Sequence, residues 1–305
     1  MHSYDAVWAL ATVRTRTGGT ACAALYGPDV REVPCLGGYA GLFEALRDWD
    51  TLTPALRKYQ PEQAALLFGA EVVAPIRYPR TLLCSGPNYR DHLAEMTHGT
   101  GDPDAITPFF FLKPPTTTVI GPGEAIVISG DAEDQVDWEA ELGVVIGRAG
   151  RDISSEQAPS YVAGYTIVND ISARGPFRRP NAPHDAFAFD WFGQKALDTS
   201  CPTGPGLTPE WLVPDPHDLS IRLTVNDVDM QVSNTKEMIV GVCELIAAAS
   251  SVVTLQPGDV IATGTPAGVG ASSGRFLRPG DTVEVTIERL GRLLNPVVAR
   301  AGTPT

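Results

Sequence analysis

The chain has 305 residues, with 43% hydrophobic and 19% charged residues and a net charge of −13. That composition describes a folded globular protein of one large domain, or a large and a small one. The negative charge argues against nucleic acid or an anionic membrane surface as a partner. No apolar stretch approaches the ~18 residues needed to span a bilayer. The opening segment Met1–Ala6 lacks the basic-then-apolar pattern of a signal peptide, so a cytoplasmic location is expected. Five cysteines (Cys22, Cys35, Cys84, Cys201, Cys243) are odd in number and scattered, with no C-x-x-C pair. This excludes a disulfide framework and a zinc cage as working readings. Cys84 or Cys201 as a nucleophile stands against the commoner reading of a buried thiol. No P-loop, G-x-G-x-x-G after a strand, G-x-S-x-G or H-E-x-x-H is present.

In chain order, Val7 to Val13 and Ala21 to Tyr26, joined through Gly18-Gly19, predict a β-hairpin. Gly41 to Trp49 and Pro54 to Tyr59 predict two short helices. A boundary near Ala74 then divides a small N-terminal α/β domain, 1–74, from the remainder, 75–305. Next comes the stretch Cys84 to Met96, in which Gly86-Pro87 makes a turn and Asn88 is positioned to cap the following helix. On that helix His92 and Glu95 are three apart and share a face. A carboxylate holding one imidazole nitrogen makes the other a better base; His98 is an equally spaced rival, and an exposed i, i+3 pair is the blander reading. Met96 to Thr107 is too rich in Gly and Pro for regular helix, and reads as a lid or a plain surface loop.

Three turns share one design: Gly121-Pro-Gly-Glu124, Gln256-Pro-Gly-Asp259 and Arg278-Pro-Gly-Asp281. Proline presets φ and glycine supplies positive φ, as a type II turn requires, and an apolar or alternating run follows each. Between them lies Asp137-Trp-Glu-Ala-Glu-Leu142. On a strand its side chains alternate, so Asp137, Glu139 and Glu141 point one way and Val136, Trp138, Ala140 and Leu142 the other. Anions stacked about 7 Å apart on one face need a positive partner. A hard divalent cation, Mg²⁺ or Mn²⁺, suits such oxygens; a solvated acidic face is the alternative. Asp170 closes a second apolar run and adds a further acid.

Arg174 has the planar fork to grip a substrate carboxylate, whereas Arg178 and Arg179 read as solubilising. Lys195 either balances the acidic cluster or faces solvent. Asn234 and Glu237 form a candidate capping box for a helix with Met238, Val242, Leu245, Ile246 and Ala249 as its apolar stripe. Ile261 to Gly270 runs from a strand into a small-residue loop whose backbone N–H groups and Thr265 suit a carboxylate, or simply a tight turn. Strands dominate without regular strand–helix alternation. The expected class is α+β, strand-rich, as a mixed β-roll or barrel-like sandwich.

Taken together, SGPNYRDHLAEM, FFFLKPP, the P-G-E turn, DWEAELGVVIG, GYTIVNDISAR, FGQKALDTSCPTGP and PGDVIATGTPAGVG resemble the fumarylacetoacetate hydrolase family, in its order, over roughly residues 82 to 270. The preceding segment is similar to the small N-terminal extension of some bacterial members. The resemblance implies a homodimeric mixed β-roll with Mg²⁺ or Mn²⁺ held by Glu139, Glu141 and Asp170, and leaves Asp137 without a ligand role. It implies Lys195 as hydrogen-bonding neighbour of those carboxylates, a His92–Glu95 catalytic dyad, and substrate contacts from Asn88, Tyr89, Arg174, Gly264 and Thr265. The implied activity is on a small 2-oxo or β-diketo acid, with C–C hydrolysis first. The alternative is a lyase or related reaction at the same site: oxaloacetate decarboxylation, sugar-acid dehydration, or dienoate hydration or isomerisation. The family's Asp and Gln after the S/T-A-R segment are replaced here by Gly175-Pro176-Phe177, which puts the substrate in doubt more than the metal.

Overall fold

A computed structural model describes residues 7–302; the opening Met1–Ala6 lies outside the described residues. The fold is α+β and strand-rich, as expected. A large mixed sheet runs in the order Asp29–Arg31, Thr20–Tyr26, Ala9–Arg14, Cys201–Pro209, Val162–Asn169, Ala140–Ile146, Val260–Ala262, Leu82–Ser85, Phe110–Leu112. A five-stranded sheet runs Val228–Asn234, Ser220–Val225, Thr282–Ile287, Gly291–Ala299, Ile126–Ile128. Among the described residues no helix is long and apolar enough to cross a membrane.

The central strands Ala140–Ile146 and Val162–Asn169 are buried on both faces, which is why their sequences are nearly continuous apolar runs. One face, with Leu142, Val144, Tyr165 and Ile167, packs with Leu223, Val285, Ile287 and Leu293 of the five-stranded sheet. The other, with Val145, Ala163 and Val168, packs with Leu10, Leu42, Leu46, Trp49 and Leu56 of the N-terminal segment. That segment also joins the large sheet directly, Leu10 pairing with Leu207.

Its hairpin forms as expected, Leu10 opposite Ala24 and Val13 opposite Ala21. Its helices differ from expectation. A short helix Leu42–Ala45 passes through a 3₁₀ turn into one helix, Trp49–Leu56, that runs through Pro54. A proline inside a helix costs about 3 kcal/mol. Burial of Trp49, Leu52 and Leu56 on one face, at about 1.5–3 kcal/mol each, outweighs it.

In all three Pro-Gly turns the glycine takes positive φ: +76° at Gly123, +88° at Gly258 and +99° at Gly280. The acid that follows folds back to accept the N–H of the turn's first residue, as in Asp259 Oδ2 from Gln256 (2.7 Å) and Asp281 Oδ2 from Arg278 (2.7 Å). The helix with the apolar stripe spans Val242–Val252, but Asn234 does not cap it. Asn234 accepts from Lys236 N–H and caps a separate 3₁₀ turn, Thr235–Glu237. The longer helix starts instead at Gly241, where His217 Nε2 accepts the Val242 N–H at 3.0 Å. Asn234 does act as a cap, but of a turn that ends before the helix begins, and among the described residues Glu237 makes no return bond to complete a capping box.

Candidate active site and metal centre

Strand register builds the acidic cluster. In the antiparallel ladder Glu141 faces Val168 and Ala140 faces Asn169. Asp170, two residues beyond Val168, therefore falls on the face that carries Glu139 and Glu141. Oxygens of Glu139, Glu141 and Asp170 lie within 4.8 Å of one another, all three residues buried.

The alternation does not extend back to Asp137. The chain leaves the ladder at Trp138-Glu139, and Val136–Asp137 pairs with Ser172–Ala173 in a ladder of its own. Trp138 turns into the core and donates its indole N–H to Gly268 O (3.1 Å). Glu139 N–H is met by Asn169 Oδ1 (3.1 Å) instead of a ladder carbonyl. Asp137 is spent elsewhere: it accepts N–H groups of Trp138 (2.8 Å), Gly270 (2.6 Å) and Ala271 (3.0 Å), and Arg174 Nε at 3.0 Å. It ties the Gly-rich loop to Arg174. Asp137→Asn is expected to lower stability by about 1.5–3 kcal/mol through weakened charged hydrogen bonds, while Mn²⁺ affinity stays within about threefold. Urea unfolding and a Mn²⁺ titration check both; a collapse of affinity would make Asp137 a ligand.

Three cations surround the cluster, Lys195 and Lys113 buried and Arg174 partly so. Lys195 Nζ bridges Glu139 Oε2 and Asp170 Oδ2, each at 2.7 Å. Arg174 Nη2 meets Glu139 Oε1 at 2.5 Å. Lys113, fully enclosed, donates to Asp170 Oδ1 (2.6 Å) and Ile171 O (2.9 Å). Lys113 sits in F-L-K-P-P, and sequence reasoning gave it no role. A lone lysine beside two prolines carries no local sign of burial. Lys195 also lies 4.9 Å from the centre of the Phe111 ring.

These contacts drive the titration behaviour apart. Burial raises the Glu139 carboxyl, but Lys195 and Arg174 outweigh it and hold Glu139 below the ordinary carboxylate range. Burial, then Asp170 and Glu139, push Glu141 well above that range. Glu141 makes no ion pair among the described residues; its contact is the Gly264 N–H, 2.9 Å from Oε2. Burial would lower Lys195, yet Asp170 and Glu139 raise it. Four carboxylates (Asp137 included) thus face three cations, and the surplus charge sits on the carboxylate turned toward the other two. A divalent cation fits this donor set, because carboxylate oxygens keep a second lone pair beyond one hydrogen bond.

The cluster opens into a cavity lined by Ser85, His92, Arg174, Gln194, Lys195 and Thr265, among others, with Phe111, Phe177 and Trp191 as apolar wall. His92 Nδ1 is 2.9 Å from Glu95 Oε2, and Gly268 N–H donates to Glu95 Oε1 at 3.0 Å. Burial raises Glu95, but the His92 contact and the Gly268 amide prevail and lower it. Its charge therefore fixes Nδ1 as the donor and leaves Nε2 for the cavity. His98 is exposed and takes no part.

Several sequence-predicted residues lie behind the wall instead of in it. Asn88 does not cap the helix Arg90–Met96, whose N-cap is Tyr89. Its amide pins two distant segments, donating to Val240 O (2.9 Å) and Thr263 O (2.8 Å) and accepting from Val240 N–H (2.8 Å). Tyr89 is fully buried, and Gly264 has already given its N–H to Glu141. Thr265 does reach the cavity, but its hydroxyl donates to Ala140 O and accepts from Gln231, each at 2.8 Å. The Met96–Thr107 segment is mostly exposed, with one 3₁₀ turn at Pro103–Ala105. Cys84 and Cys201 are sealed from solvent. Burial pushes Cys84 far up and Cys201 up to about 12, which makes both poor nucleophiles at neutral pH.

The loop after Arg174 is held chiefly by rings. Phe177 packs on Phe189 and Trp191 at 5.0 and 5.1 Å between centroids, and Trp191 on Phe109 and Phe111 at 5.3 Å each. Two backbone bonds close it, Arg179 N–H to Ala188 O and Asp190 N–H to Phe177 O, both 2.8 Å. Arg178 and Arg179 are exposed.

The chain is similar to several known proteins. A family model described as fumarylacetoacetate (FAA) hydrolase C-terminal matches residues 81–298. The oxaloacetate tautomerase fahd2, mitochondrial, of Xenopus laevis is 42% identical over 229 residues, covering 74% of this chain and 68% of its own. The oxaloacetate tautomerase YisK of Bacillus subtilis (strain 168) is 41% identical over 227 residues, covering 73% and 72%. The maleylpyruvate hydrolase of Sphingobium sp. SYK-6, solved with manganese(II) and pyruvate, superposes with a TM-score of 0.75 at 28% identity, covering 95% of this chain and 99% of its own. The fumarylacetoacetate hydrolase of Exiguobacterium antarcticum gives a TM-score of 0.77 at 31% identity, covering 96% and 100%. On the family model and these relatives together, this chain belongs to the fumarylacetoacetate hydrolase family.

Proposed function

We propose that this chain is a Mg²⁺- or Mn²⁺-dependent enzyme that interconverts the keto and enol forms of a small 2-oxo acid of the oxaloacetate type. The observation that carries this reading is one cavity lined both by Glu139 and Glu141 of the carboxylate cluster and by His92, whose other ring nitrogen is held by Glu95. Glu139, Glu141 and Asp170 would hold the ion, with Lys195 and Lys113 fixing the orientation of Asp170. A divalent ion bound there supplies positive charge against which negative charge on a keto-acid oxygen is stabilised. His92 Nε2 takes a proton from C3 of the acid, the C–H electron pair becomes the second C2–C3 bond, the C2=O π pair moves onto the oxygen, and that oxygen receives the proton back from His92. Glu95 balances the imidazolium while His92 holds that proton. The aromatic wall limits the water that reaches the dyad. The relatives named oxaloacetate tautomerase support this assignment.

C–C hydrolysis of an acylpyruvate, the first expectation from sequence, stays as the second reading. The same dyad suits activation of a water, and the structural relative solved with pyruvate is a maleylpyruvate hydrolase. A homodimer acting in the cytoplasm on a small-molecule substrate completes the proposal. The deciding experiment gives the Mn²⁺- or Mg²⁺-supplemented protein oxaloacetate, acetylpyruvate, fumarylpyruvate and deoxy-diketo sugar acids. Faster loss of enol absorbance from oxaloacetate, without pyruvate or CO₂, supports the tautomerase. Pyruvate from an acylpyruvate supports the hydrolase, and pyruvate with CO₂ from oxaloacetate supports a decarboxylase. Silence on all of them, with and without metal, defeats the proposal.

A further inference from the structure

One buried polar group in the cavity wall is left unsatisfied by the protein. Gln194 lies on the short helix Trp191–Lys195, is 1% exposed and lines the cavity, yet its Oε1 has no hydrogen-bond partner among the described residues. Three of its polar neighbours in that wall are occupied. Lys195 is held by Glu139 and Asp170, Arg174 by Asp137 and Glu139, and the Thr265 hydroxyl by Ala140 and Gln231. A buried amide without a partner is unfavourable. Turned about its last bond, the amide puts either its oxygen or its N–H₂ group at that position, beside Phe111, Phe177 and Trp191, so it can accept from or donate to a bound molecule.

We propose that Gln194 is a substrate-recognition residue whose side-chain amide hydrogen-bonds the distal carboxylate of a four-carbon 2-oxo dicarboxylic acid. This deepens the reading above and rests on it: with the 2-oxo acid head group at Glu139, Glu141 and Asp170, the far end of the molecule is what remains to be bound. The amide rotates to present N–H to an acceptor-only carboxylate. It does so without adding charge to a site whose cations are already matched to acids. Aromatic surroundings strengthen such a bond by excluding competing water. A monocarboxylic 2-oxo acid offers nothing at that position and leaves the amide unsatisfied, so Gln194 selects for the second carboxylate.

The test is calorimetric binding to the Mn²⁺-loaded full chain. The two ligands are oxalate, which carries only a head group, and difluoro-oxaloacetate, which keeps both carboxylates but has no C3 hydrogen to lose. Gln194→Met should weaken difluoro-oxaloacetate about tenfold and oxalate by less than about twofold, the loss expected for one hydrogen bond. Gln194→Asn, which keeps an amide one carbon shorter, should show the same selectivity. Equal weakening of both ligands in both variants would reduce Gln194 to a packing role, and unchanged binding would show that no ligand uses the amide. Either result overturns the assignment and leaves the tautomerase reading standing. If wild-type protein binds oxalate but not difluoro-oxaloacetate, the dicarboxylic substrate class fails together with the role of Gln194.

Discussion

Glu141→Gln should make the metal-free protein more stable and abolish its stabilisation by Mn²⁺, whereas Asp170→Asn should make it less stable and abolish that stabilisation too. The two carboxylates belong to one cluster but have opposite surroundings. Asp170 neutralises two buried ammonium groups, Lys113 and Lys195, at 2.6 and 2.7 Å. Removing one partner of a buried pair typically costs about 3–5 kcal/mol. Glu141 faces acids, with one backbone N–H in contact. Removing its charge relieves a desolvated anion, so the metal-free protein gains stability where Glu141 would otherwise be ionised.

The sign with pH follows. Glu141 is raised above its ordinary value of 4.5 in the folded protein, so the metal-free fold holds that proton more tightly than the unfolded chain does. Its stabilising contribution is complete below the ordinary value and fades as pH rises through the elevated folded value. Metal binding must expel the same proton, so Mn²⁺ affinity should climb with pH over that range. Urea unfolding with Mn²⁺ or EDTA, from pH 5 to about 8.5, measures each part. Equal destabilisation by the two variants would mean that the Glu141 charge is compensated after all.

His92→Ala should lower turnover by about 10²–10⁴-fold, the range of a general base, while Mn²⁺ affinity stays unchanged. The imidazole lines the cavity but is no member of the carboxylate cluster. Glu95→Gln should lower turnover as well, because the negative charge that fixes the Nδ1 proton and stabilises the imidazolium is gone. Steady-state turnover of both variants, beside a Mn²⁺ titration of each, is the telling measurement. Full activity in His92→Ala would remove the base from the scheme and leave loss of CO₂, which needs no base, as the better reaction.

The clustering of Glu139 with Glu141 was legible in the sequence because period-two spacing is local and the ladder preserves it between them. Asp137 shows where that reading stops. The chain leaves the ladder at Trp138, and nothing in D-W-E announces that the indole will seek the core and Gly268 while Asp137 turns to another loop. The His92–Glu95 pair was also legible, since three residues on a helix fix a shared face. Lys113 and the backbone duties of Asn88 were not. Both depend on pairings between segments far apart in sequence: Lys113 with Asp170, and Asn88 with Val240 and Thr263. The Asn234 signature failed differently: the residue caps a turn and not the helix.

The cavity's ring-packed loop has a further consequence. Its position rests largely on contacts among Phe177, Phe189, Trp191, Phe109 and Phe111, whereas the charged centre is anchored in the middle of the large sheet. Under the proposed function, the ion-holding centre and part of the substrate-facing wall would sit in separable pieces of one polypeptide. Exchange of residues 175–190 between such proteins would change which acids are admitted and keep the reaction, a modularity that suits both divergence by descent and redesign at the bench.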